Sequence, residues 1–370
     1  MTTALSPRSL SSRLLHSRLA EALTYPYGVD RYLELLNPLA VRSETRAEIS
    51  SVRHQTPRSV TLSLDPNRPL DGLRAGHSVN LTVEIAGVRQ TRPYSPAGSQ
   101  HARGGSIELT VSTHPDGLVS RYLRDHAKPG MIVGLSAPQG SFTLPEPRPR
   151  RVLLIAGGSG ITPVMAMLRT LRDERFTGEV GFLQYARSPD LALYTEELEA
   201  LAACQDNIRL ARGYTRGGDG ELAGRFALAH ARAVMPDPRH AATFVCGPPA
   251  LIGAVQRSLR AARLPAPSAE TFTPEPIAFD AASAPVARGQ VSFTRSTRQA
   301  PNSGLPLLEQ AEDAGLAPEH GCRMGICNTC STRKTSGRVR NVVTGETSSA
   351  SEERIRICVS VPLGDVELDL

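Results

Sequence analysis

Three of the chain's six cysteines crowd into the stretch GCRMGICNTC at 321–330, as Cys322, Cys327 and Cys330, and a fourth thiol follows at Cys358. Four intervening residues, then two, then a distant fourth is a spacing that grips a [2Fe–2S] cluster. Gly321 and Gly325 let the chain curl so that the sulfurs converge and backbone N–H groups turn inward. Zinc sites more often offer two C-x-x-C pairs or a Cys/His mixture, and here only Cys327 and Cys330 form such a pair. A disulfide framework is disfavoured by six cysteines in a 370-residue chain without a secretory leader. The chemistry expected of these thiols is the transfer of single electrons.

Four further motifs carry functional groups. Arg92-Pro93-Tyr94-Ser95 offers a guanidinium fork suited to phosphate, a flat ring and a hydroxyl, with Pro93 stiffening the approach. A turn with a snorkelling arginine is the bland reading of the same residues. Gly117-Leu118-Val119-Ser120 precedes the helical RYLRDH, where fresh backbone N–H groups make an anion site; alternatively Ser120 is an ordinary cap. Gly157-Gly158-Ser159-Gly160-Ile161-Thr162-Pro163 follows the apolar RVLLIA. It is not G-x-G-x-x-G, yet small residues still let backbone approach a pyrophosphate, with Thr162 placed to cap and Pro163 suited to the first turn. A purely structural strand-to-helix turn would read similarly. Cys246-Gly247-Pro248 ends a strand, where a cysteine is ordinarily packing. Cys204, in LAACQD, reads as core filler.

Taken in this order, the motifs resemble the ferredoxin–NADP reductase superfamily joined to a C-terminal plant-type ferredoxin domain. The resemblance spans roughly residues 46–370 and implies roles position by position. Arg92 would bind flavin phosphates, with Pro93 shaping its approach, Tyr94 packed on the isoalloxazine and Ser95 near flavin N5. Gly117, Leu118, Val119 and Ser120 would hold the FAD pyrophosphate, favouring FAD over FMN. Gly158, Gly160, Thr162 and Pro163 would take the nicotinamide-dinucleotide phosphates. Cys246, Gly247 and Pro248 would sit beside the nicotinamide, making Tyr94, Ser95 and Cys246 the catalytic group. The run CGPPALI lacks the methionine often found there in the family. Arg187-Ser188, with no acid to grip a ribose 2′-hydroxyl, suits a 2′-phosphate and so NADPH, with NADH as the alternative; Arg212 or Arg216 near Tyr214 would add to it.

The implied chemistry follows from electron counting. A nicotinamide gives electrons in pairs, a [2Fe–2S] cluster carries one, and a flavin converts between the two. The expected terminal acceptor is an oxygenase, or a membrane acyl-CoA desaturase, because RYLELLNPL resembles reductase partners of the latter. A redox-sensing or structural iron–sulfur protein without steady turnover is the competing class.

These motifs need elements to hold them. The length suggests two or three domains, and no run reaches the apolar length of a membrane-spanning helix. The surplus of 42 basic over 36 acidic residues gives a net charge of +6, nearly all arginine. It suits an acidic partner, an anionic cofactor or a phospholipid surface; no basic cluster interleaved with aromatics supports nucleic acid. Residues 1–45 read as a helical extension, with Leu15, Leu19, Ala22 and Leu23 on one face and a second stretch from Arg31 to Leu36. It either packs on the body or docks on a membrane or partner enzyme, which places the chain in the cytoplasm, peripheral to the inner face of the membrane in the second case. Residues 46–147 alternate as short strands of an antiparallel β-barrel. Residues 148–264 alternate strands with helices, as a doubly wound parallel sheet does. Residues 265–289 read as a Pro/Ala/Ser linker carrying Phe272, which would shield the flavin face or move with the linker. Residues 290–370 form an α+β unit of the β-grasp kind.

Overall fold

The computed structural model describes residues 28–41, 43–102, 104–114, 117–217, 219–272, 288–320, 325, 330–343 and 345–370. The helical face expected at Leu15–Leu23 lies outside them. Helix α1 (Gly28–Leu36) ends where Asn37 accepts a hydrogen bond from the Leu39 N–H at 2.9 Å and starts a short turn.

The first unit has six antiparallel strands: β1 (Thr45–Thr56), β2 (Ser59–Pro66), β3 (Val79–Ile85), β4 (Val88–Tyr94), which carries Arg92, Pro93 and Tyr94, β5 (Ile107–Ser112) and β6 (Ile132–Leu135). Their spatial order is β4-β3-β6-β1-β2-β5. Alternation drives Val60, Leu62 and Leu64, Val79, Leu81 and Val83, and Ile107, Leu109 and Val111 into one core. The outer strands nearly meet: Pro96 bridges Leu109, and the Ala97 N–H donates to the Glu108 carbonyl at 2.9 Å. The sheet therefore curls into the expected barrel. Helix α2 (Leu118–His126) seats Val119 and Leu123 in its core.

The second unit is a five-stranded parallel sheet. In chain order it comprises β7 (Arg151–Gly157), α3 (Ile161–Asp173), β8 (Glu179–Ala186), α4 (Thr195–Cys204), β9 (Ile208–Tyr214), α5 (Leu228–Val234), β10 (Ala242–Cys246), α6 (Pro249–Ala261) and β11 (Ser268–Glu270). The order β11-β10-β7-β8-β9 reverses direction between β7 and β10. Helices on both faces explain why β7 and β8 are apolar almost throughout instead of alternating. Strand β11 falls within the stretch read as a linker. Its three residues pair with β10 through backbone, which needs no apolar pattern.

In the third unit β12 (Gln290–Phe293), β13 (Arg298–Pro301), β14 (Ser331–Asn341), β15 (Thr347–Ser348), β16 (Glu353–Arg356) and β17 (Ser360–Leu368) form a mixed sheet. Strands β12 and β17 pair in parallel at its centre, and α7 (Leu307–Asp313) packs Leu307, Leu308 and Ala311 on its core.

Candidate functional site

Ligands of an open α/β sheet gather outside the strand carboxyl ends where the strand order reverses, here the ends of β7 and β10. A cleft of about 560 Å³ opens there. The nucleotide unit lines it with Gly157–Gly160, Arg187, Thr215, Arg216, Gly247 and Pro248, and the barrel with Arg58, Ser59 and Ser112–His114. Phe272 lines it too and packs on the core beneath α3.

The Gly-rich loop is built for close approach. Gly158 has φ +56°, in the left-handed region. A Cβ on Gly160 would lie 2.4 Å from both the carbonyl carbon and the oxygen of Cys246, so only glycine lets this loop press on β10. Gly160 precedes α3 without a side-chain cap among the described residues, leaving first-turn N–H groups for an anion. Thr162 does not cap as expected; its hydroxyl donates back to the Ser159 carbonyl at 3.3 Å.

The turn Cys246-Gly247-Pro248 closes the cleft with Gly247 and Pro248 while Cys246 lies behind, fully buried. Burial, then the nearby Glu270 carboxylate, pushes the thiol well above its ordinary value, so it is a neutral wall group and not a nucleophile. Glu270 escaped the sequence reading because its stretch looked like linker. Its backbone is at the sheet edge, but its Oε2 is buried without a hydrogen-bond partner among the described residues, and burial raises the carboxyl to about 8.

At the end of β4, pairing of Arg92 with Leu81 and Tyr94 with Val79 puts both on one face. The Arg92 guanidinium donates to the Thr91 carbonyl at 2.7 Å. Tyr94 packs against the barrel core, and burial raises its phenol far above the ordinary value, so it stays neutral. Ser95 is 2% exposed and its Oγ has no hydrogen-bond partner among the described residues. Such an orphaned hydroxyl is costly unless a ligand meets it, and it fits a flavin heteroatom. The turn at Gly117 also fits a diphosphate. Gly117 starts α2 with no side-chain cap among the described residues. The Ser120 hydroxyl instead donates to the Gly117 carbonyl at 3.2 Å and accepts from the His114 N–H at 3.3 Å. A Cβ on Gly117 would lie 2.4 Å from that hydroxyl.

Arg187 and Arg216 come together at the ends of β8 and β9, where the Arg216 N–H donates to the Arg187 carbonyl at 2.8 Å. Both are exposed on the cleft, with Ser188 beside them. Arg212 is different. It is buried and spent on the Glu199 carboxylate at 2.6 Å, Gln184 at 3.2 Å and the Thr195 carbonyl at 3.0 Å.

Of the four thiols expected to hold the cluster, Cys322 and Cys327 lie outside the described residues. Cys330 and Cys358 are 3% and 5% exposed in one core, brought together by the β14–β16 ladder and an Ile357 N–H donating to the Cys330 carbonyl at 3.4 Å. Gly325, with φ +72°, presses on Val359, and its carbonyl accepts from the Arg356 guanidinium. Two buried thiols and a glycine-bent loop pinned by an arginine suit a cluster.

A barrel with an unfilled hydroxyl, a parallel sheet with a glycine-floored cleft and a cysteine-bearing mixed sheet define a pyridine-nucleotide electron-transfer flavoprotein. Family models agree: the oxidoreductase FAD-binding domain matches residues 47–144, the oxidoreductase NAD-binding domain 154–257, and the 2Fe-2S iron-sulfur cluster binding domain 293–363. An NADPH oxidoreductase of Mycobacterium tuberculosis is 34% identical over 95% of this chain and 91% of its own length. The glycine betaine monooxygenase reductase subunit of Pseudomonas aeruginosa is 33% identical over 80% of this chain and 87% of its own. Phthalate dioxygenase reductase superposes with a TM-score of 0.58 at 23% identity, covering 88% of this chain and 97% of that one. The chain belongs to the family of NAD(P)H oxidoreductases that join FAD-binding, NAD-binding and [2Fe–2S] domains in that order.

Proposed function

We propose that this chain is the reductase component of an oxygenase system, drawing electrons from NADPH and delivering them singly to a partner protein. The observation that carries this reading is the shared cleft, whose walls come from both the barrel and the nucleotide unit. Arg92, Pro93, Tyr94 and Ser95 would seat the flavin ring and its phosphates, and Gly117, Leu118, Val119 and Ser120 its diphosphate. Gly158, Gly160, Thr162 and Pro163 would hold the dinucleotide, with Gly247 and Pro248 against its nicotinamide and Cys246 as the neutral wall behind. Arg187, Ser188 and Arg216 would select the 2′-phosphate. Cys322, Cys327, Cys330 and Cys358 would hold the cluster.

When bound, the flavin accepts an electron pair and releases it one electron at a time. The chain's own residues orient and insulate. Ser95 offers a buried hydroxyl, Tyr94 a neutral ring, and Phe272 covers part of the cleft. The partner is an oxygenase or a membrane acyl desaturase, as the likeness of RYLELLNPL suggests. Leu35 and Leu36 on α1 are 73% and 86% exposed, which supports residues 1–45 as a docking segment for a membrane or that partner. No helix among the described residues is long and apolar enough to cross a membrane.

The test is a visible spectrum with cofactor extraction, followed by NADPH-driven reduction of ferricyanide and of cytochrome c. Protein loaded with FAD and cluster should reduce both; protein that stays colourless after iron and sulfide reconstitution, or reduces neither, overturns the reading. Vesicle cosedimentation lost on deleting residues 1–45 tests the docking segment.

A further inference from the structure

Helix α3 carries more than the dinucleotide loop at its start. Its later residues Arg169, Thr170 and Asp173, with Glu174 at its C-cap, recur at helical spacing and all grip the chain just beyond Ser95. The buried Arg169 guanidinium donates to the Ala97 carbonyl at 2.9 Å and the Glu108 carboxylate at 2.8 Å, both on the barrel. On its own side it forms a fork with Glu197 at 2.8 and 2.6 Å. The Thr170 hydroxyl accepts from the Gln100 N–H at 3.1 Å, Asp173 bonds the Ser99 side chain, and Glu174 meets His101 at 2.8 Å.

A second set of bonds converges on the same carboxylate. The Tyr194 hydroxyl donates to Glu108 at 3.1 Å and meets the Thr110 hydroxyl at 2.5 Å. Thr110 bonds Thr61 at 2.7 Å, and Thr61 accepts from Gln55 at 2.6 Å. Gln55 closes the ring by accepting the Tyr194 N–H at 3.0 Å, and Arg169 stacks over the Tyr194 ring at 5.1 Å. Tyr194 holds a left-handed backbone, φ +57°, to do this.

We propose that α3 is a strut that sets the distance between the dinucleotide cleft and Ser95, with Arg169 as its positioning residue. The rod is roughly 20 Å long at the usual helical rise. One end is fixed against β10 by Gly160, and the other holds the strand-end that carries Ser95 to Ala97. Arg169 does not line the cleft and its bonds go to Glu197, Ala97 and Glu108, so its role is read in geometry: loosening it leaves dinucleotide binding intact and misplaces the donor relative to the flavin. This rests on the cofactor assignments proposed above.

The experiment compares wild type with Arg169→Met, Arg169→Lys and Tyr194→Phe, each loaded with FAD and cluster. Three quantities are read: NADP⁺ Kd, the rate of flavin reduction by NADPH in stopped flow, and the long-wavelength absorbance when NADP⁺ meets dithionite-reduced protein. Expected for Arg169→Met is a Kd within about three-fold of wild type, a reduction rate lower by roughly 10–100-fold and a weakened band, since an ångström of misplacement costs that order. Arg169→Lys should fall between, keeping the charge but not the fork. Wild-type rate and band in Arg169→Met overturn the strut. Should Arg169→Met fail to take up FAD, Tyr194→Phe decides: about five-fold slower reduction at unchanged Kd supports the strut, and wild-type kinetics overturn it. Wild-type protein that binds no FAD sinks the cofactor reading and the strut together.

Discussion

The glycine floor of the cleft invites a test on a single methyl group. In Gly160→Ala the new Cβ would stand 2.4 Å from the Cys246 carbonyl carbon and oxygen and 2.6 Å from the Gly247 nitrogen, where ordinary contact begins at 3.4 Å. About 1 Å must therefore be found. The obstructing atoms are backbone in a strand laddered on both sides, to β7 and β11, so the loop and not β10 gives way. Overpacking of this kind costs about 1–3 kcal/mol of stability, whereas the same ångström at a reaction centre costs about 100-fold in rate. Gly158→Ala is the control. Its position has open space among the described residues and only a left-handed φ to strain, roughly 1 kcal/mol. NADPH–ferricyanide kinetics, which need the flavin alone, should show kcat/KM about 100-fold lower in Gly160→Ala and at most about five-fold lower in Gly158→Ala. FAD content and cluster absorbance should be unchanged in both. A Gly160→Ala enzyme within about three-fold of wild type, or one less impaired than Gly158→Ala, refutes the reasoning.

Three other outcomes follow from the site. Glu270 is held protonated up to about pH 8 in the folded chain, against an ordinary value of 4.5. Between those values the folded state binds the extra proton, so this residue's contribution to stability is present below pH 4.5 and lost as pH rises toward 8, by up to about 1.4 kcal/mol per pH unit. Glu270→Gln should flatten the fall of Tm across that window; an unchanged slope counts against the burial. Arg187→Ala and Arg216→Ala should each raise KM for NADPH by roughly 10–100-fold, the worth of a charged hydrogen bond to phosphate, and leave KM for NADH nearly unmoved. Equal losses with both nucleotides would count against a 2′-phosphate site, and Arg212→Ala should instead lower Tm. Cys358→Ser should abolish cluster absorbance and cytochrome c reduction while ferricyanide reduction by the flavin persists; retention of the cluster would remove Cys358 from the ligand set.

Local backbone shape was legible in the sequence, and the reason is geometric. Gly158, Gly160 and Gly117 act through backbone shape within a turn, so neighbouring residue types suffice to announce them. The alternation of β2, β3 and β5 and the unbroken apolar β7 and β8 likewise reveal which sheet has one covered face and which has two. Arg212 shows where this ends. Beside Tyr214 it looks as available for phosphate as Arg216, and only the fold shows that Glu199 on α4 and Gln184 on β8 consume it, while Arg216, past the end of β9, faces the cleft. Thr162 fails similarly: a threonine at a helix start suggests a cap, but the 3₁₀ turn at Gly158–Gly160 offers it the Ser159 carbonyl instead.

Glu270 and Arg169 mark a deeper gap, because each owes its character to partners far away in sequence. Strand β11 has three residues and no apolar signature, so nothing nearby told that its glutamate would pair in register beside Cys246. Arg169 sits within an amphipathic helix where an arginine normally faces water, yet it is buried. Burial alone would lower its affinity for a proton; the bonds to Glu197 and the Glu108 charge outweigh that and raise it. A charge so placed is a weak source of net stability, because replacing the whole ionic group by apolar residues would cost little; removing Arg169 alone costs far more, since it leaves two carboxylates facing each other. What it does supply is direction. Glu108, Ala97 and Glu197 can be satisfied together only at one separation of barrel and nucleotide sheet, and a reductase whose two-electron step spans that gap has more to gain from a fixed separation than from a few tenths of added stability.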